Sequence, residues 1–337
     1  MSTIKDIARE AGVSISTVSR VLSGHRNVSE ATLKKVQEVI ERNHFSLNRS
    51  ASNLKRSSAG NIVLVVVKGL GNIFFASLIE HVQDEIRAKG LSVVIQYIDE
   101  DDDEVAAGER LALETKPLGV LFLGGNEAAF CSTSLLGNRY PTVVLTNAVD
   151  VGRPGICSVT SDDVGGARQA VSLLLSKGHT RIGVVGGDPT TSTTSALRLH
   201  GVREAFSAAG VPFDEERCYV GTRYSLDDGY QATTQLLKAD PDLTAVYAFS
   251  DVMAIGVMRS LADAGRSVPA DVSVVGHDGL EIARYTTPRL TTVKQSQAEL
   301  AHLGVEKLLA LLKGMEISKN KVLAVQIEEG ESVANRK

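Results

Sequence analysis

Apolar residues fall into two regimes along this chain. From Ile62 onward, short unbroken apolar runs such as Ile62–Val67 alternate with longer stretches in which apolar positions recur every three or four residues. The first pattern is that of a strand buried on both faces, the second that of an amphipathic helix. The series predicts strand Ile62–Val67, helix Phe74–Lys89, strand Ser92–Ile98, a helix over about Glu104–Glu114, and strands Gly119–Leu123 and Thr142–Thr146. It restarts with helix Val164–Lys177, strand Arg181–Gly186, helix Ala196–Ala209, strand Cys218–Gly221, helix Leu226–Leu237, strand Ala245–Phe249, helix Val252–Ala264 and strand Val272–Gly276. Strand Leu290–Lys294, helix Gln297–Leu312 and strand Val322–Ile327 complete it. Strands alternating with helices specify an α/β fold, its parallel sheets covered on both faces. The strands are too many for one small sheet, so two doubly wound lobes of about 130 residues each are expected.

The first fifty-eight residues read differently. Ile4, Ile7, Ala8 and Ala11 line one face of a first helix, with Thr3 as N-cap and Gly12 as its stop. Ser14 caps a second helix, Ile15–Leu22, with Val18, Val21 and Leu22 turned inward. A third runs from Ser29 to about Asn43 on Leu33, Val36 and Ile40. Helix, Gly-bearing turn, helix is the arrangement that delivers a second helix into the major groove of DNA. The outward residues of that helix are Ile15, Ser16, Thr17, Ser19 and Arg20. Arg pairs with guanine through two bonds, Ser reaches base edges or phosphates, and an Ile methyl can meet a thymine methyl. Periodicity alone leaves open a three-helix bundle whose Ser and Arg are merely solvated. Ser46–Ser58, SLNRSASNLKRSS, has the look of a joint, with only Leu47, Ala51 and Leu54 as apolar material.

Charge sharpens the division. The net charge is −4, but residues 1–58 hold ten Lys/Arg and five Asp/Glu, hence +5, and the remainder holds 26 and 35, hence −9. A small basic segment joined to an acidic one suggests that the small one meets a polyanion. Cys131, Cys157 and Cys218 are widely spaced and show no CxxC, which fits free thiols in a reducing compartment. The apolar runs are strand-length, and the N-terminus is charged where a signal peptide needs an apolar core. A cytoplasmic protein without membrane segments is expected.

IKDIAREAGVSISTVSRVLSGHRNVSEATLKKVQEVIERNHF resembles, nearly position for position, the N-terminal domain of the lactose-repressor/galactose-repressor (LacI/GalR) family. LNRSASNLKR resembles that family's hinge helix, and the likeness continues through the rest of the chain. The resemblance implies a helix-turn-helix DNA-binding domain (1–45), a hinge helix (46–58) and a two-lobed periplasmic-binding-protein-like core (59–337). Its N-lobe would take about 59–161 and 292–320, its C-lobe about 162–291 and 321–330, with crossings near 161–164, 288–292 and 320–322. Ile15, Ser16 and Arg20 would then face bases, Thr17 and Ser19 phosphates, with Asn27 and Asn48 near the DNA backbone. Ala51, Leu54 and Lys55 would contact DNA from the hinge, Leu54 as a minor-groove wedge. Ser50–Arg56 is about two turns, too short to be helical alone in water, so its order should depend on pairing and on DNA. Leu47 stands where the family commonly has Pro.

In open α/β sheets ligands sit at the carboxyl ends of strands, and between two lobes the cleft is the site. Asp251, Asp278 and Thr146-Asn147 fall just past predicted strand ends, and Arg198 lies in a first helical turn. Carboxylate and guanidinium facing one cleft suit vicinal hydroxyls, which is sugar chemistry. Each also has a structural alternative: Asp251 as a helix cap, Arg198 as an ion-pair partner, Asp278 as a turn former. Carried over by resemblance, the effector contacts are Phe74, Phe75, Thr194, Arg198, Ser250, Asp278, Thr146, Asn147 and Gln295. Thr146-Asn147 replaces a common Asp-Arg, so the usual family ligands are not expected to bind in the usual way. No Trp is available for ring stacking.

The acidic run Asp99–Glu104 reads as a solvated loop without calcium-loop spacing. VVGGDPTTSTT lacks GK[ST], so no nucleotide loop is expected, although its Ser/Thr-rich helix start could hold a sugar phosphate. No nucleophile with a base, metal-ligand spacing or cofactor loop is found, so no enzyme, metal or cofactor is expected. The tail after Ile327 has no leucine heptads, which points to a homodimer. The expected function is a sugar-responsive repressor of carbohydrate-utilisation genes on a near-palindromic operator in double-stranded DNA.

Overall fold

The computed structural model describes residues 4–14, 17–18, 21, 30–42, 61–68, 73–99 and 102–336. The chain separates into two compact units, Met1–Ala59 and Gly60–Lys337.

In the first unit, helix α1 spans Ile4–Ala11 and α2 spans Glu30–Arg42, with Thr17, Val18 and Val21 helical between them. Ala8, Ala11, Val18, Val36 and Val39 form its core, and Val13 and Val21 pack against it. Gly12, at φ 61°, turns the chain out of α1. Val13 N–H donates back to the Ala8 carbonyl at 3.0 Å. Ser14 Oγ accepts from Thr17 N–H at 3.1 Å, which is the expected cap, and lies 2.8 Å from the Thr17 hydroxyl. Ile15, Ser16, Ser19, Arg20, Asn27, Asn48, Ala51, Leu54 and Lys55, and the whole of 46–58, lie outside the described residues.

The second unit contains two six-stranded sheets. The first is ordered β11-β5-β4-β3-β1-β2, from strands β1 Ile62–Lys68, β2 Ser92–Ile98, β3 Gly119–Leu123, β4 Thr142–Leu145, β5 Ile156–Ser161 and β11 Asn320–Leu323. The second is ordered β12-β10-β9-β8-β6-β7, from β6 Ile182–Gly187, β7 Tyr219–Thr222, β8 Ala245–Ala248, β9 Ser273–Asp278, β10 Thr291–Lys294 and β12 Gln326–Glu328. All pairings are parallel except β10 with β12. Helices α3 Ile73–Ala88, α4 Glu104–Thr115, α5 Glu127–Cys131 and α11 Gln297–Leu312 accompany the first sheet. Helices α6 Asp163–Ser176, α7 Thr193–Ala209, α8 Glu215–Cys218, α9 Leu226–Ala239 and α10 Asp251–Asp263 accompany the second.

Strand β1 is buried on both faces because it is apolar at every position from Ile62 to Val67. Val63, Val65 and Val67 join one core cluster, and Leu64 and Val66 join the other. Val252 and Leu280, from the second lobe, belong to the first of these clusters, so the lobes also meet through apolar packing.

Four sequence expectations change. The strand β5 was not foreseen, because Cys157, Ser158, Thr160 and Ser161 dilute its apolar signal, yet every residue of it is buried. The expected single strand Val322–Ile327 is two strands in different sheets: β11 pairs with β5, and β12 with β10. Residues 291–294 belong to the second sheet and 320–323 to the first, so the crossings fall at 161–163, 294–297 and 323–326. An apolar run reports burial but not the sheet a strand joins. The acidic run is also more than a solvated loop. Asp103 caps α4, accepting from the N–H groups of Val105 and Ala106, and Glu104 is buried.

Candidate functional site

The carboxyl ends of both sheets face a cavity of about 850 Å³ between the lobes. Phe74, Phe75, Thr146, Asn147, Thr194, Arg198, Ser250, Asp278 and Gln295 all line it. Asp251 does not. Its carboxylate is fully buried, accepting from Leu280 N–H at 2.7 Å and from the Thr292 hydroxyl. Ser250, not Asp251, caps α10, through Met253 N–H at 3.1 Å. Asp251 thus anchors the turn that follows β9.

At the centre lies Arg198, in the second turn of α7 because that helix begins at Thr193 rather than Ala196. Its Nε donates to Asp163 Oδ1 at 2.8 Å, its Nη1 donates to the Phe249 carbonyl, and Asp278 Oδ1 lies 3.8 Å away. Burial works against the guanidinium charge, but the Asp163 and Asp278 carboxylates outweigh it and hold its pKa above the usual value. Burial raises the Asp163 pKa against the pull of Arg198. Asp278 is pushed up to about 7, by burial first, although Arg198 and the 2.8 Å bond donated by Gln295 Nε2 favour its carboxylate. Behind it, burial drives the His277 pKa well down, so its imidazole is neutral and pairs with Tyr247 Oη at 2.7 Å.

The two lobes contribute in complementary ways. From the first, Asn147 Nδ2 donates to the Gly125 carbonyl at 2.6 Å, and its Oδ1 accepts from Thr194 of the second lobe at 3.4 Å. Phe75 packs edge-on to Phe74, with ring centroids 5.8 Å apart, and supplies apolar surface. From the second, Tyr224 Oη meets Ser195 Oγ at 2.8 Å. Thr146, at φ 78°, and Asp278, at φ 119°, are two of the three non-glycine residues with positive φ among the described residues. Strain of this kind costs about 1–3 kcal/mol each and persists where surroundings over-determine it, as at ligand sites.

Sequence reasoning missed Asp163, Lys68, Glu104, Asp188, Tyr224 and Asp228, which also line the cavity. Asp163 could have been found, since it directly follows a lobe crossing. The Lys68–Glu104 pair could not, because its partners are 36 residues apart and meet only through the β1–α4 packing. Among the described residues no cluster of His, Cys, Asp and Glu is placed to hold a metal, and no helix is long and apolar enough to cross a membrane.

A two-lobed core with a polar cavity between its lobes, carried on one chain with a small helical unit, is the class this geometry defines. A profile for the periplasmic binding protein-like domain matches residues 171–333, and one for bacterial regulatory proteins of the lacI family matches residues 3–48. The regulator MalR of Clostridium butyricum is 33% identical over 339 residues, 98% of this chain and 99% of that protein. The lac repressor dimer bound to operator and the anti-inducer ONPF superposes with a TM-score of 0.82 at 27% identity, covering 99% of both chains. A complex of the regulator CelR with cellobiose superposes at 0.73 with 28% identity, over 98% of this chain and all of that one. This chain belongs to the lacI family of bacterial regulatory proteins, and is a DNA-binding transcription regulator and not an enzyme.

Proposed function

We propose that the chain acts in the cytoplasm as a homodimeric repressor of carbohydrate-utilisation genes, binding a near-palindromic operator and taking an uncharged sugar in the interlobe cleft. The observation that carries the effector class is the state of its cations. Lys68 is bonded to Glu104 at 2.9 Å, and Arg198 to Asp163 at 2.8 Å, so both are neutralised within the protein. Glu104, Asp163, Asp188, Asp228 and Asp278 are five carboxylates against Lys68, Arg198 and Arg223. At the Ser/Thr-rich start of α7, where a phosphate would find helix N–H groups, Ser192 Oγ already accepts from Ser195 N–H at 3.2 Å, and Asp188, bonded by Thr190 N–H at 2.8 Å in the preceding loop, adds a negative charge. A sugar phosphate would meet that surplus of negative charge, whereas neutral hydroxyls can donate to Asp278 and accept from Arg198.

On the DNA side, Ile15, Ser16 and Arg20 would read bases, with Thr17, Ser19, Asn27 and Asn48 on the backbone. Ala51, Leu54 and Lys55 would bind from the hinge. A sugar held by both lobes can bias the molecule only through its different affinity for the interlobe arrangements available. Such coupling is typically about 1–3 kcal/mol, or roughly 5–150-fold in affinity for DNA.

A thermal-shift screen over neutral sugars, sugar phosphates and nucleobases tests the effector class. At a hundredfold excess over its Kd, a neutral sugar should raise the Tm by roughly 5–10 °C. A shift produced by phosphorylated sugars or nucleobases alone overturns this reading.

A further inference from the structure

The cleft holds a second polar cluster that Arg198 and Asp278 leave unused. The chain passes between lobes next to β5, β10, β11 and β12, so strand order in each sheet measures distance from the crossings. Asp163 follows β5, Asp278 ends β9 and Gln295 follows β10, which places all three at the crossing end. Lys68 ends β1, three strand positions beyond β5, and Thr222 ends β7, three beyond β9. At 4.7–4.9 Å per strand, the far cluster stands about 14 Å from the near one.

At that far end Lys68 Nζ donates to Glu104 Oε2 at 2.9 Å, and Glu104 Oε1 accepts from Asn126 N–H at 2.6 Å. The Glu104 side chain is 5% exposed and that of Lys68 is 32% exposed, so the ammonium keeps donors open to the cavity. Across from it, the Thr222 hydroxyl donates to Asp228 at 2.9 Å. Between the two clusters, Phe75 lies over the end of β3, so close that a Cβ on Gly124 would sit 3.3 Å from its ring. Polar groups at both ends with an aromatic surface between them match linked sugar rings, whose C–H faces are apolar and whose edges carry hydroxyls. The cavity, at about 850 Å³, is near the top of the roughly 300–1,000 Å³ range of small-molecule sites.

We propose that the cleft is built for a glycoside of at least two linked neutral sugar units, one ring on Arg198, Asp278 and Gln295 and a second on the Lys68–Glu104 pair. This rests on the reading of the cleft as a neutral-sugar site and extends it to ligand length. Calorimetric titration of the full-length chain with glucose, galactose, cellobiose, maltose and lactose tests it. At least one disaccharide should bind about tenfold more tightly than either of its constituent monosaccharides. Glu104→Gln should reduce that preference to about threefold or less, whereas Asp278→Asn should weaken both kinds of sugar. Lys68→Met, at a partly exposed side chain, carries the same test should Glu104→Gln fail to fold. A monosaccharide that binds as tightly as every disaccharide containing it overturns the proposal and leaves the neutral-sugar reading standing. So does a preference unchanged in both variants. Binding of none of these saccharides removes the neutral-sugar reading itself, and the two-unit proposal with it.

Discussion

Asp278 concentrates most of what is unusual at the level of single residues. It ends a buried strand at a positive φ, and accepts from Gln295 beside Arg198. With its pKa pushed up to about 7, the folded protein holds this proton to higher pH than the unfolded chain does. Its contribution to stability is therefore complete at acid pH and is lost as pH rises toward 7. Ligand hydroxyls that donate to the carboxylate reverse the dependence for binding. Affinity for a neutral sugar should climb roughly tenfold between pH 6 and pH 8 in titrations of the wild type, and Asp278→Asn should remove the slope along with most of the binding. An affinity flat across that range would mean that Asp278 does not accept from the ligand. Arg20 carries the corresponding expectation for DNA: Arg20→Ala should erase discrimination against the wrong base, typically about 1–3 kcal/mol per contact, while the melting temperature stays put. An unchanged base preference in competition binding would refute that role. Residues whose chemistry is announced by a strand end, such as Asp278, were legible in the sequence. Those that depend on a distant partner were not: Glu104 reads as one more acid in a solvated run until Lys68 and Asn126 N–H close on it.

Among the elements, the close approach of helices explains residues that sequence periodicity leaves blank. A Cβ on Gly256 in α10 would come within 2.1 Å of the Leu226 carbonyl oxygen of α9, and both helices support loops that line the cleft. Backbone cannot yield as a side-chain tip can, so Gly256→Ala should destabilise by about 1–3 kcal/mol, visible as a Tm lowered by several degrees. A melting curve identical to wild type would show that the helices separate freely. Alternation of apolar runs and amphipathic stretches located most strands and helices to within a few residues, because parallel strands buried on both faces have few polar positions. The same signal missed β5, whose Ser and Thr side chains are buried. It also merged β11 with β12, since burial does not record which sheet a strand joins.

For the whole molecule, charge and topology divide the labour. A basic unit of +5 and an acidic remainder of −9 share one chain, and the second unit encloses a cavity between lobes connected by three crossings. Those crossings put Asp163 and Gln295 at the joints between the lobes, so a ligand held there would bias the lobes' relative position through its different affinity for the arrangements available. The central claim is that this occupancy changes operator affinity. Fluorescence anisotropy of the full-length chain on its upstream DNA, at several salt concentrations and with and without a sugar that raises the Tm, tests it most directly. Sequence-selective binding that weakens with salt, and shifts roughly 5–150-fold when the sugar is added, is the predicted result. Binding that is indifferent to DNA sequence, or unmoved by a sugar shown to occupy the cleft, would contradict it.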